Sequence, residues 1–124
     1  MPNFYTQFSF IIPLSSKQSR EIVETINTAP LEIFEDPENT NLTFKIENLG
    51  LRVYASRART INDAINLIEY CIDVFHLPPI GFTWAVTCSE PDLGGSYGGA
   101  YWTNGYRDKV IDTVQWLLTA EYET

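Results

Sequence analysis

Positive charge is scarce in this chain: eight Lys and Arg residues stand against sixteen Asp and Glu, a formal net charge of −8. Phosphate contacts need Lys and Arg, so this balance disfavours direct binding to nucleic acid and favours basic surfaces as partners. Thiols are scarce as well. Two cysteines, Cys71 and Cys88, are too few for a disulfide scaffold, and their usage fits a reducing cytoplasm. The Asn41-Leu42-Thr43 sequon is then a chance match, because glycosylation needs a secretory route. No stretch approaches the ~18–20 apolar residues of a membrane helix. Met1-Pro2-Asn3-Phe4 lacks the charged start and apolar run of a signal peptide. Histidine occurs once, as His76, and no CxxC or HxxxH spacing is present, so neither a zinc site nor another cofactor is expected.

Apolar and aromatic residues, by contrast, are plentiful, at 44% and 14% of the chain, which argues against global disorder. A chain of 124 residues suits one domain over residues 1–124 with one core. Phe4, Thr6, Phe8, Phe10 and Ile12 alternate with Tyr5, Gln7, Ser9 and Ile11, a period of two that ends at Pro13 and predicts a strand. Ser15 with Gln18 three residues on forms a capping-box pattern, and Ile22, Val23, Ile26 and Ala29 continue at helical spacing until Pro30. Residues 31–41 are acidic and turn-rich, a solvent-facing loop in which Leu31, Ile33 and Phe34 are candidates for core contact. Leu42 to Glu47 and Leu51 to Ser56 alternate on either side of Asn48-Leu49-Gly50, the pattern of a β-hairpin.

Thr60 with Asp63 suggests a second cap. Ile61, Ala64, Ile65, Ile68, Cys71, Ile72 and Phe75 then form one helical stripe that stops at Leu77-Pro78-Pro79. Phe82 to Cys88 reads as a fourth strand, Gly98 to Thr103 as a fifth, and about Arg107 to Ala120 as a last helix with Val110, Ile111, Val114, Leu117 and Leu118 inward. The expected fold is therefore α+β in the order β-α-β-β-α-β-β-α. An antiparallel sheet of about five strands carries two or three helices on one face, around a ferredoxin-like split β-α-β core.

The most unusual stretch runs from Phe82 to Trp102. Phe82, Trp84, Ala85, Thr87, Cys88, Ser89 and Pro91 are followed by Gly98, Gly99 and Ala100. This F-x-W-A-x-T-C-S-x-P strand and G-G-A strand, together with the aromatic start Phe4 to Leu14, resembles a family of uncharacterised small proteins of phages, plasmids and their bacterial hosts. The resemblance covers about half the chain and implies a mobile-element origin but no activity. Physically, paired strand glycines first suggest close passage of backbone beside Trp84, Tyr97, Tyr101 or Trp102. The alternative is an aromatic loop that recognises a partner, since Tyr and Trp are enriched in binding hot spots.

Cys88 and His76 are the only thiol and imidazole suited to a dyad, but free cysteines mostly serve core packing. Glu32, Glu35, Asp36, Glu38 and Glu47 fall in a short span without a calcium-loop pattern. They suit either a solvated loop or a ligand for an electropositive surface, where carboxylates take the place of phosphates. Arg52, Arg57 and Arg59 form the one basic cluster, at a strand edge.

No catalytic set emerges, so the leading expectation is a non-enzymatic phage or mobile-element protein. It would inhibit a host factor, such as a defence complex in the manner of an anti-CRISPR, by docking on a protein with a basic surface in the host cytoplasm. The candidate partner-binding residues are Glu32, Glu35, Asp36 and Glu38 with Tyr97, Tyr101 and Trp102. A small-ligand binder or modest enzyme with its site near Cys88 and the Gly-rich segment stays open. So does a self-assembling module or homodimer closed through a sheet edge.

Overall fold

The alternating run at the start of the chain forms strand β1 (Phe4–Ile12), the third strand from one edge of a six-stranded sheet. A computed structural model describes residues 4–58, 61–88 and 97–112 of the chain. Helix α1 (Ser16–Thr28) follows at once, and its start is the capping box read from the sequence. The Gln18 backbone N–H donates to Ser15 Oγ at 3.1 Å, and the Ser15 N–H donates to Gln18 Oε1 at 3.0 Å. Two orphan helix donors are thereby satisfied by one pair of side chains. Two short 3-10 turns, Pro30–Glu32 and Pro37–Asn39, begin at prolines whose missing N–H is harmless there.

The hairpin comprises β2 (Thr43–Glu47) and β3 (Gly50–Ala58), joined by Asn48 and Leu49. Gly50 opens β3 at a φ of 146°, and a Cβ there would overlap the Ile12 carbonyl oxygen. This position requires glycine. Helix α2 (Asn62–Phe75) ends at His76, the one described non-glycine residue in the left-handed region, with a φ of 53°. Its N-cap is Ile61, which makes no side-chain cap, and the Thr60 of the expected Thr60–Asp63 cap lies outside the described residues.

Strands β4 (Ile80–Cys88) and β5 (Tyr97–Thr103) pair in register, Phe82 opposite Tyr101 and Trp84 opposite Gly99. The expected last helix is not what residues 108–112 form. They make strand β6 (Asp108–Asp112), which pairs with β5, and residues 113–120 lie outside the described residues. The local cause is Asn104-Gly105, a strong hairpin signal. Gly105 takes a φ of 93°, and Asn104 Oδ1 accepts the N–H groups of Tyr106 and Arg107, both at 2.8 Å.

The sheet is antiparallel throughout in the order β2-β3-β1-β4-β5-β6, six strands rather than about five. Its inner face carries Phe8, Phe10, Ile12, Leu51, Val53, Ile80, Phe82 and Tyr101. These join Ile22 of α1 and Ala64, Leu67, Ile68, Cys71 and Ile72 of α2 in one buried cluster. Both helices therefore cover the same face. Phe10 stacks on Phe82 at 4.6 Å between centroids, with Phe8 and Tyr101 tilted against Phe82 at 5.5 and 5.7 Å. The outer face, bearing Gln7, Ser9, Tyr54, Thr83, Ala85 and Trp102, has no element over it among the described residues. No helix is long and apolar enough to cross a membrane among the described residues.

Candidate functional site: an acidic helical face with a cleft

The acidic segment between α1 and β2 is held by its two apolar residues. Ile33 and Phe34 are buried, whereas Leu31, expected as a third anchor, is 75% exposed. Thr40 Oγ1 donates to the Pro37 carbonyl at 3.2 Å and closes the second turn. Glu32, Glu35, Asp36 and Glu38 consequently project to solvent on the helical side of the molecule. Tyr70 of α2 donates its hydroxyl to Glu32 at 3.5 Å, which ties the loop to that helix.

The loop does not act alone. Asp63, in the first turn of α2, has its carboxyl pushed above the usual carboxylate range, first by partial burial and then by the charges of Asp36 and Glu35. Glu69 and Asp73 lie further along α2, four residues apart and both exposed. Neither residues 21–44 nor residues 60–106 contain a Lys or Arg, so these elements bring no cation of their own to their carboxylates.

Beyond Glu69 and Asp73 the surface dips into a cleft of about 250 Å³ between the end of α2 and the β5–β6 turn. Its walls are Glu69, Ile72, Asp73, His76, Asn104 and Tyr106, and Tyr106 is 96% exposed. Tyr101 donates its hydroxyl to Glu69 Oε1 at 3.1 Å from beneath, and burial pushes the phenol up to about 12. Two carboxylates beside an exposed aromatic ring, with no Lys or Arg among the lining residues, suit a basic side chain.

The sequence-predicted residues separate. Glu32, Glu35, Asp36 and Glu38 gather on the helical side. Tyr101 is only 1% exposed and faces the core, so it is not an exposed contact residue as expected; its place in the β5 alternation turns it inward against Phe82. Trp102, 42% exposed, lies on the opposite sheet face from the acidic loop. The side chains of Tyr97 and Cys88 lie outside the described residues, as do residues 89–96. Glu69, Asp73 and Tyr106 were not singled out in the sequence, and Asp63 was singled out only as a capping residue. The long interval without Lys or Arg and the Glu69–Asp73 spacing of one helical turn were the available signals.

The thiol readings are narrowed by position. Cys71 is buried in the core, and burial pushes its thiol up to about 12, which leaves it protonated and inert. His76 precedes the start of β4 and Cys88 ends that strand, eight residues on. The Cys88 side chain lies outside the described residues, and with it the Cys88–His76 dyad. The close-passage reading of the glycines holds at Gly99, where a Cβ would come 2.6 Å from Cζ2 of Trp84. Among the described residues, no group of three or more His, Cys, Asp or Glu is placed to hold a metal ion. No family model, curated protein or solved structure matches this chain.

Proposed function

We propose that this chain is a non-catalytic binding protein that docks its acidic helical face on a basic surface of another macromolecule. The observation that carries the reading is the run of carboxylates from Glu32 to Glu38, continued by Asp63, Glu69 and Asp73, on elements with no Lys or Arg. Selection for stability alone would intersperse cations, because like charges at this spacing repel. Asp63, raised first by partial burial, is raised further by the charges of Asp36 and Glu35. The cleft beside Glu69 and Asp73 takes an Arg or Lys side chain of the partner. At about 250 Å³ it falls below the ~300–1,000 Å³ usual for small-molecule sites.

Together with the resemblance of the Phe82–Trp102 stretch to small phage and plasmid proteins, this favours an inhibitor of a host defence complex, acting in the host cytoplasm on a surface built for nucleic acid. In the same reading β1, α1, β2, β3, α2 and β4 are a ferredoxin-like split β-α-β core, and β5–β6 is a hairpin added beside it.

The test is a pull-down from host lysate with wild-type protein and an E35K/D36K/E38K variant, at low and high salt, with circular dichroism to confirm the fold. A defined protein held by wild type at low salt, released at high salt and not captured by the variant is the expected result. Equal capture by both proteins would remove the acidic face from the function.

A further inference from the structure

The outer sheet face differs in charge from the rest of the molecule. Strand alternation places Lys45 of β2, Arg52 of β3 and Lys109 of β6 on it. A bulge adds a fourth cation. Thr6 pairs with Ala58 but Phe8 with Ala55, so both Ser56 and Arg57 stand opposite Gln7 and point outward. The Arg57 guanidinium lies 5.3 Å from the centroid of the Tyr5 ring. Glu47 is the only carboxylate on this face among the described residues, bound to Arg52 Nε at 2.8 Å. Arg52 also donates to Ser9 Oγ at 3.0 Å, which points its guanidinium along the sheet.

Between these cations the middle of the face is a shallow trough lined by Gln7 and the smaller Ser9, Ser56, Thr83 and Ala85. Tyr54 borders it on β3 and Trp102 on β5, 38% and 42% exposed. Among the described residues, four cations against one carboxylate leave the face positive although the chain as a whole is at −8. A helix layer roughly 10 Å thick separates the acidic surface from it, about one Debye length at 0.1 M salt.

We propose that this outer face binds a single strand of nucleic acid. Phosphates lie along Lys45, Arg52, Arg57 and Lys109, and bases stack on Tyr54 and Trp102, which is how open sheets and positively charged grooves hold single strands. An acidic protein segment would match the charge but would leave the two exposed rings without stacking partners. The inference is independent of docking by the helical face.

Fluorescence anisotropy of labelled 12-mer single strands, one DNA and one RNA, tests it and separates the two polymers. Binding is expected for at least one of them. With four phosphate contacts at ~0.7 each, affinity falls about 50-fold between 50 and 200 mM salt. A K45E/K109E variant should bind at least about tenfold more weakly, and Trp102→Ala about tenfold more weakly with Trp102→Phe restoring most of the loss. No binding by either strand at about 100 μM protein and low salt overturns the proposal, as does affinity indifferent to both variants. A concentration-dependent mass in light scattering, without nucleic acid and abolished by K45E/K109E, overturns it in favour of a second copy on this face.

Discussion

Asp63 shows how a single residue records the electrostatics of its surroundings. Its carboxyl is raised from 3.8 by partial burial and by Asp36 and Glu35, so the folded protein holds that proton more tightly than the unfolded chain. Stability from this group is complete below 3.8 and is lost as pH rises through the elevated folded value, because ionised Asp63 is the costly state. Asp63→Asn removes that cost. The melting temperature of the variant relative to wild type should therefore be higher at pH 7 than at pH 3, although the first turn of a helix ordinarily welcomes a carboxylate. Thermal melts of both proteins across this range check the sign. A difference constant with pH would mean that Asp63 titrates normally and that the loop charges do not reach it.

Among the elements, the β5–β6 hairpin turns on one side chain. Asn104 Oδ1 accepts two backbone N–H groups, and Thr103 Oγ1 accepts a third from Gly105. Asn104→Ala orphans two donors at an exposed turn, where water recovers part of the loss, so about 1–2 kcal/mol of destabilisation is expected in chemical denaturation. A loss near zero would show that the hairpin is set by strand pairing alone. The same hairpin marks where sequence reading fell short. Phe8, Phe10 and Ile12, the Ser15–Gln18 box, the Asn48-Leu49-Gly50 hairpin and the α2 stripe were all legible, because each is a local pattern with a local cause. Val110, Ile111 and Val114 also match a helical period, and that match hides the return strand that the Asn104-Gly105 turn, with φ above zero at Gly105, dictates. The acidic half of the candidate site was legible from composition. Its extension through Asp63, Glu69 and Asp73 left only the cation-free interval and the Glu69–Asp73 spacing as signals, because joining it to the loop depends on how α2 lies beside it. Tyr101 and Trp102 were adjacent in sequence and are on opposite faces for the simplest reason, the two-residue period of a strand.

For the whole molecule, the charge distribution carries a cost that can be measured. At −8, with the described carboxylates concentrated on the helical side, the folded protein is compressed against its own repulsion. Salt shortens the Debye length from about 30 Å at 0.01 M to about 8 Å at 0.15 M, which removes most of the interaction between exposed charges. Thermal stability should accordingly rise over that range. The E35K/D36K/E38K protein replaces three negative charges by three positive ones, so its net charge is −8 + 6 = −2. It should melt above wild type at low salt, with the gap closing as salt is added, even though it loses the proposed partner. Such a gain in stability paired with a loss of binding is the signature of a surface kept for recognition. A variant that melts lower at every salt concentration would point the other way: the loop carboxylates would then be structural, held by local hydrogen bonds, and their clustering would carry no information about a partner.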